Sequence, residues 1–221
     1  MRHTYLLVLV VLVITQGCSS SSTQPETAPT PTTIRTLFPL AVGNSWTYQV
    51  TNYDANTGAV SQRSTYTTSI DSAVTINGQT AYKYGSGSAY QSFSGNDLQY
   101  SYTPSGRTGM ITLVRYRYPM LVGTPQKVLD TTYSDQSRQV TTLEIVDSAK
   151  KVTVPAGTFT CVQFRTVILS TFSAAPLDTA QVTDDYLAPG VGLVRTAHYR
   201  SNRISEDNLL DLVELKSYTV K

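Results

Sequence analysis

The chain has 221 residues, enough for one sizeable domain or two very small ones, and nothing in its pattern marks a second boundary. Only 14% of the residues are charged while Thr, Ser and Tyr abound, a composition that suits pleated sheets better than helices. The formal net charge is +2 and the Lys and Arg residues are scattered singly. There is thus no basic stripe to track a phosphate backbone, which excludes nucleic acid as a partner.

The first segment reads as an export signal. Arg2 supplies positive charge, an apolar run follows from Tyr5 to Ile14, and the segment closes on the small residue Gly17. A transmembrane helix needs about 20 apolar residues, and polar Thr15 and Gln16 stop this run at about half that. Ile14-Thr15-Gln16-Gly17-Cys18 resembles a bacterial lipobox, which implies lipidation of Cys18 and a signal peptide over residues 1–17. The motif departs from the usual pattern at Thr15, where Leu is commonest. The alternative is an ordinary secretory signal cut at the same bond without lipid. Ser19 stands where an Asp signals inner-membrane retention, so the resemblance implies a lipid-anchored protein of the outer membrane facing the periplasm or cell surface.

Residues 18–35 are expected to form a tether, rich in Ser, Thr and Pro and lacking apolar periodicity. A flexible chain of this length spans roughly 20 Å. Residues 36–221 are expected to form a single all-β domain. It starts near Leu37-Phe38-Pro39-Leu40 and enters a first strand at Trp46, Tyr48 and Val50.

Turn dipeptides then punctuate the chain at Thr57-Gly58, Asn77-Gly78, Gly95-Asn96, Ser105-Gly106, Ala156-Gly157 and Pro189-Gly190. Asn77-Gly78 between Val74-Thr75-Ile76 and Tyr82-Lys83-Tyr84 is a strong hairpin signal, because both central residues of a type I′ turn need positive φ. Between turns the apolar residues alternate, as at Leu143/Ile145 and Val152/Val154, so one face of each strand is buried. Residues 205–216 also fit a helix capped by Ser205, but the matched lengths of 191–203 and 209–220 favour a closing hairpin. About ten strands without crossover helices imply a curved antiparallel meander sheet or a partly closed β-barrel.

Candidate chemistry is sparse. Asp54-x-Asn56-x-Gly58 has the start of a calcium loop, but Ala59 and Thr65 stand where that loop needs Gly and a bidentate Glu, so a plain hairpin turn is the reading. No metal or other cofactor is expected, since zinc needs several His or Cys ligands. Cys161, in the apolar stretch 159–168, reads as a small buried hydrophobe. The only histidine beyond the signal segment, His198, sits in a strand near Arg195 and Arg200 and reads as structural. Asp184-Asp185 and Glu206-Asp207 are neighbours whose side chains would diverge in a strand; both read as turn or strand-end charges.

The most suggestive feature is a set of Tyr-x-Tyr pairs, Tyr82/Tyr84, Tyr100/Tyr102 and Tyr116/Tyr118, preceded by Trp46/Tyr48. Spacing of two puts both rings of a pair on one face, so neighbouring strands could join them into a ligand-facing aromatic surface. The competing reading packs the rings at core edges with their hydroxyls wet.

Phe38 to Tyr48 (FPLAVGNSWTY), Val154 to Phe159 (VPAGTF) and Ala188 to Val194 (APGVGLV) resemble uncharacterised envelope proteins, the TapB-like lipoproteins and related domains of unknown function. This resemblance implies a curved antiparallel sheet and no catalytic signature. More distantly, such sheets resemble the half-barrels of envelope lipoprotein carriers. The leading expectation is a non-catalytic binding or interaction module, membrane-anchored through its N-terminal lipid, with a lipid, glycan or envelope-protein partner. A purely structural lipoprotein comes next and a hydrolase last.

Overall fold

A computed structural model describes residues 32–85, 87, 89–103, 109–133, 136–171, 179–200 and 208–221. The signal segment, Cys18, Ser105-Gly106 and Glu206-Asp207 lie outside the described residues. One short helix, α1 (Ile34–Leu37), precedes twelve strands. The first six are β1 (Ser45–Tyr53), β2 (Val60–Ile76), β3 (Gln79–Tyr84), β4 (Tyr90–Ser94), β5 (Asp97–Tyr102) and β6 (Ile111–Arg117). The second six are β7 (Gln126–Thr132), β8 (Arg138–Val154), β9 (Gly157–Thr171), β10 (Thr179–Ala188), β11 (Gly192–Tyr199) and β12 (Leu209–Thr219).

All twelve strands form one antiparallel sheet in the order β6-β5-β4-β3-β2-β1-β12-β11-β10-β9-β8-β7. β1 to β6 pair in succession, as do β7 to β12, and β1 also pairs with β12 over eight residues, so the first and last strands lie side by side inside the sheet. The sheet nearly closes into a barrel, and its one unsealed seam lies between β6 and β7 in mid-chain. An up-and-down barrel ordinarily closes by joining its first and last strands. This one makes that join and leaves the gap elsewhere. A single side-chain hydrogen bond among the described residues crosses the two edge strands, Arg117 Nη1 to Gln126 Oε1 at 3.3 Å.

The turn chemistry behaves as the sequence requires. Asn77 and Gly78 take φ of 51° and 76°, the left-handed values that let a two-residue turn follow the twist of its strands. Asp54 Oδ1 accepts from the backbone N–H of Asn56 and Thr57 and from the Thr57 hydroxyl, closing the β1–β2 hairpin. Residues 209–219 are strand β12, which settles the C-terminal ambiguity in favour of the hairpin.

The core begins at Ile34, inside the stretch read as tether. Ile34, Leu37 and Phe38 are buried among Leu98, Tyr116, Tyr118, Phe164 and Leu187, so α1 plugs one end of the barrel. A second cluster gathers Trp46, Tyr48, Ile70, Val152, Cys161, Val194 and Leu215. Trp46 is 3% exposed, as its place in the first strand predicts.

Candidate functional site

Antiparallel partners point to the same side of a sheet, so the register fixes which residues face the lumen. Thr166 on β9 pairs with Thr183 on β10, Thr183 with His198 on β11, and His198 with Asp211 on β12. One step along, Phe164 pairs with Asp185 and Asp185 with Thr196. On the far wall Trp46 and Tyr48 pair with Thr68 and Tyr66.

Two cavities occupy this lumen above the α1 plug. The first, about 340 Å³, lies at the seam; its wall includes Leu113, Val128, Leu129, Thr141 and Ile168. The second, about 240 Å³, is aromatic, lined by Trp46, Tyr48, Tyr66, Tyr84 and Gln91. Tyr100 and Arg115 line both, so the two chambers meet at these side chains.

Arg115 reaches the lumen through a β-bulge. Leu98 pairs with Tyr116 while Gln99 pairs with Val114, which leaves Arg115 as the extra residue of β6. A bulge places two residues opposite one and re-aims their side chains, so Arg115 and Tyr116 line the same chamber, where plain alternation would separate them. The Arg115 guanidinium carbon lies 5.4 Å from the Tyr116 ring centroid. Tyr116 and Asp185 hold its charge, pushing its pKa above the ordinary value. Burial drives the Tyr116 phenol well above its usual range, against the opposing pull of Arg115.

Asp185 is the polar centre of the seam chamber. The Tyr116 hydroxyl donates to its Oδ2 at 2.8 Å and the Thr196 hydroxyl to its Oδ1. Its neighbour Asp184 points to the other side of the sheet. There Arg165 grips it in a fork, at 2.7 Å and 2.8 Å, and Gln163 Nε2 donates at 2.9 Å. The two carboxylates diverge, as strand geometry demands. The expectation that they are strand-end charges is corrected: they are 1% and 8% exposed in the middle of β10, each neutralised or satisfied by buried partners.

His198 faces the lumen, with Nδ1 2.7 Å from Asp211 Oδ1. The hydrogen bond to Asp211 raises the imidazole pKa against the lowering effect of desolvation. Asp211 is the only hydrogen-bond partner of His198 among the described residues. Cys161 is 1% exposed, and burial pushes its thiol up to about 12, as befits an inert core residue.

The Tyr-x-Tyr pairs divide. Tyr84 and Tyr100 line the aromatic chamber and Tyr100 and Tyr116 the seam chamber, while Trp46 stacks on Tyr84 at 6.2 Å. Tyr102 packs on Tyr100 at 5.5 Å. Tyr118 is buried against Phe164, and Tyr82 lines a small polar cavity with Arg35 and Gln79. Three of the six tyrosines thus meet around one lumen. Arg115, Gln91 and Asp211 carry no role in the sequence reading, and Asp185 only that of a strand-end charge. The available signal was weak: in Ile-Thr-Leu-Val-Arg-Tyr-Arg, simple alternation puts Arg115 on the same face as Ile111 and Leu113.

Residues 116–208 match the family described as DUF3108-like. No curated protein matches the chain. Among solved structures, the chain is similar to a candidate lipoprotein from Parabacteroides distasonis, at 17% identity and a TM-score of 0.49, covering 83% of this chain and 98% of that one. It is also similar to a candidate exported protein with a YmcC-like fold from Bacteroides fragilis, at 15% identity and a TM-score of 0.44, covering 82% and 98%.

Proposed function

We propose that this protein is a non-catalytic binding module of the bacterial envelope, whose barrel lumen takes a small molecule with an apolar body. The observation that carries the reading is the pair of chambers meeting at Tyr100 and Arg115 behind the unsealed β6–β7 seam. The seam chamber alone has the volume of a small ligand pocket, and its wall sets aliphatic and aromatic side chains beside convergent polar groups that include Arg115 and Asp185. The likeness to TapB-like lipoproteins in the segments 38–48, 154–159 and 188–194 belongs to this reading, as does an outer-membrane anchor at Cys18 followed by Ser19.

Two measurements test it. Replacing Cys18 with Ser is expected to move the protein from the membrane fraction to the soluble periplasm; a variant that stays in the membrane fraction contradicts the anchor. Non-denaturing mass spectrometry of that soluble form is expected to show a small molecule held non-covalently. Bare protein in every preparation counts against a lumenal ligand and favours a purely structural lipoprotein.

A further inference from the structure

The lumen's polar groups are placed for one kind of ligand, and we propose that the occupant is an anionic amphiphile, with its charged head on Arg115 and its apolar tail in the seam chamber. This rests on the lumenal reading above and adds the chemistry of the ligand. Arg115 stands where the chambers meet, and none of the ion pairs among the described residues involves it. The lumenal acids make their hydrogen bonds to other groups, although Asp185 favours the Arg115 charge through space. Asp185 accepts the hydroxyls of Tyr116 and Thr196, and Asp211 holds His198.

A second observation comes from the aromatic chamber. Gln91 is 4% exposed, yet its Oε1 has no hydrogen-bond partner among the described residues, and neither has the buried hydroxyl of Tyr84. Both side chains line the chamber that Arg115 enters. Unsatisfied buried polar atoms are costly, about 1–3 kcal/mol each, and native proteins keep few of them. The Tyr84 hydroxyl can donate to an anionic head beside the guanidinium. Gln91 Oε1 can accept from a hydroxyl or amide carried next to that head. On the other side of Arg115, Leu113, Val128, Leu129 and Ile168 give a tail an aliphatic wall, beside Thr141, Thr166, Thr183 and an Asp185 carboxylate that already accepts two hydroxyls. A charge-assisted, forked bond from Arg suits a carboxylate and a phosphate alike.

Trp46 lines the head chamber and is the sole tryptophan of the chain, so its fluorescence reports occupancy directly. The full chain with Cys18→Ser is titrated with dodecanoate, dodecyl phosphate and dodecanol below their micelle concentrations. At least one of the anionic probes is expected to bind roughly tenfold or more tightly than dodecanol, and Arg115→Gln to erase that preference while Arg115→Lys keeps part of it. Dodecanoate against dodecyl phosphate distinguishes a carboxylate source from a phosphate source. Equal binding of all three probes by the unsubstituted lumen overturns the anionic head and leaves the lumenal reading standing, and it needs no variant to fold. Binding by none of the three overturns both.

Discussion

His198 and Asp211 show how a single contact ties the lumen wall to pH. Because the hydrogen bond raises the folded-state pKa of His198 above the ordinary 6.5, the protonated form is favoured in the folded protein. Its contribution is complete below the unfolded value and is lost as pH rises through the higher folded value. Asp185 adds to the rise and Arg115 opposes it. Thermal stability is therefore expected to decline as pH climbs from 6.5 upward, and His198→Gln to flatten that slope, as read from melting curves across the range. Tyr116 carries a larger stake. It is fully buried and supplies one of two donors to a buried carboxylate, so Tyr116→Phe is expected to cost about 1–3 kcal/mol in a denaturant titration. Neither role was legible in the sequence: Tyr116 meets Asp185 across the lumen, from strands that are not neighbours in the sheet, and the expected closing hairpin does not say in which register His198 meets Asp211.

At the scale of elements, local chemistry was enough for the hairpins. Asn77-Gly78 makes a type I′ turn because its two residues tolerate positive φ, and the alternation of apolar residues set the faces of the strands on either side. A Cβ at Gly78 meets nothing within 4 Å, so only the backbone objects. Gly78→Ala is expected to lower stability by about 1 kcal/mol without altering lumenal binding, measured by melting and by probe titration together. Asp184 and Asp185 mark the limit of such reading: adjacency in a strand correctly said that they diverge, but could not say that both sides of β10 are covered at that point. The bulge at Arg115 was equally hidden, since an extra residue in one strand is defined by its partner strand.

For the molecule as a whole, the sequence pattern led to a curved or partly closed antiparallel sheet, and twelve strands with a mid-chain seam realise it. The pairing of β1 with β12 could not be read along the chain, because it joins segments at opposite ends. That join brings Trp46 and Tyr48 opposite β11, where the indole N–H donates to the Val191 carbonyl at 2.7 Å and the phenol to the Leu193 carbonyl at 3.0 Å. The aromatic surface expected from the Tyr-x-Tyr spacing becomes, in part, the inner wall of a lumen. The most direct test of that lumen is saturable binding of a neutral apolar fluorescent probe, N-phenyl-1-naphthylamine, by the Cys18→Ser full chain and by the same chain carrying Ile168→Trp, whose indole fills the seam chamber. One saturable site is expected in the first protein and its loss in the second, with the β-sheet circular dichroism of both unchanged; no saturable site in the first, or equal binding by both, would contradict a lumenal site.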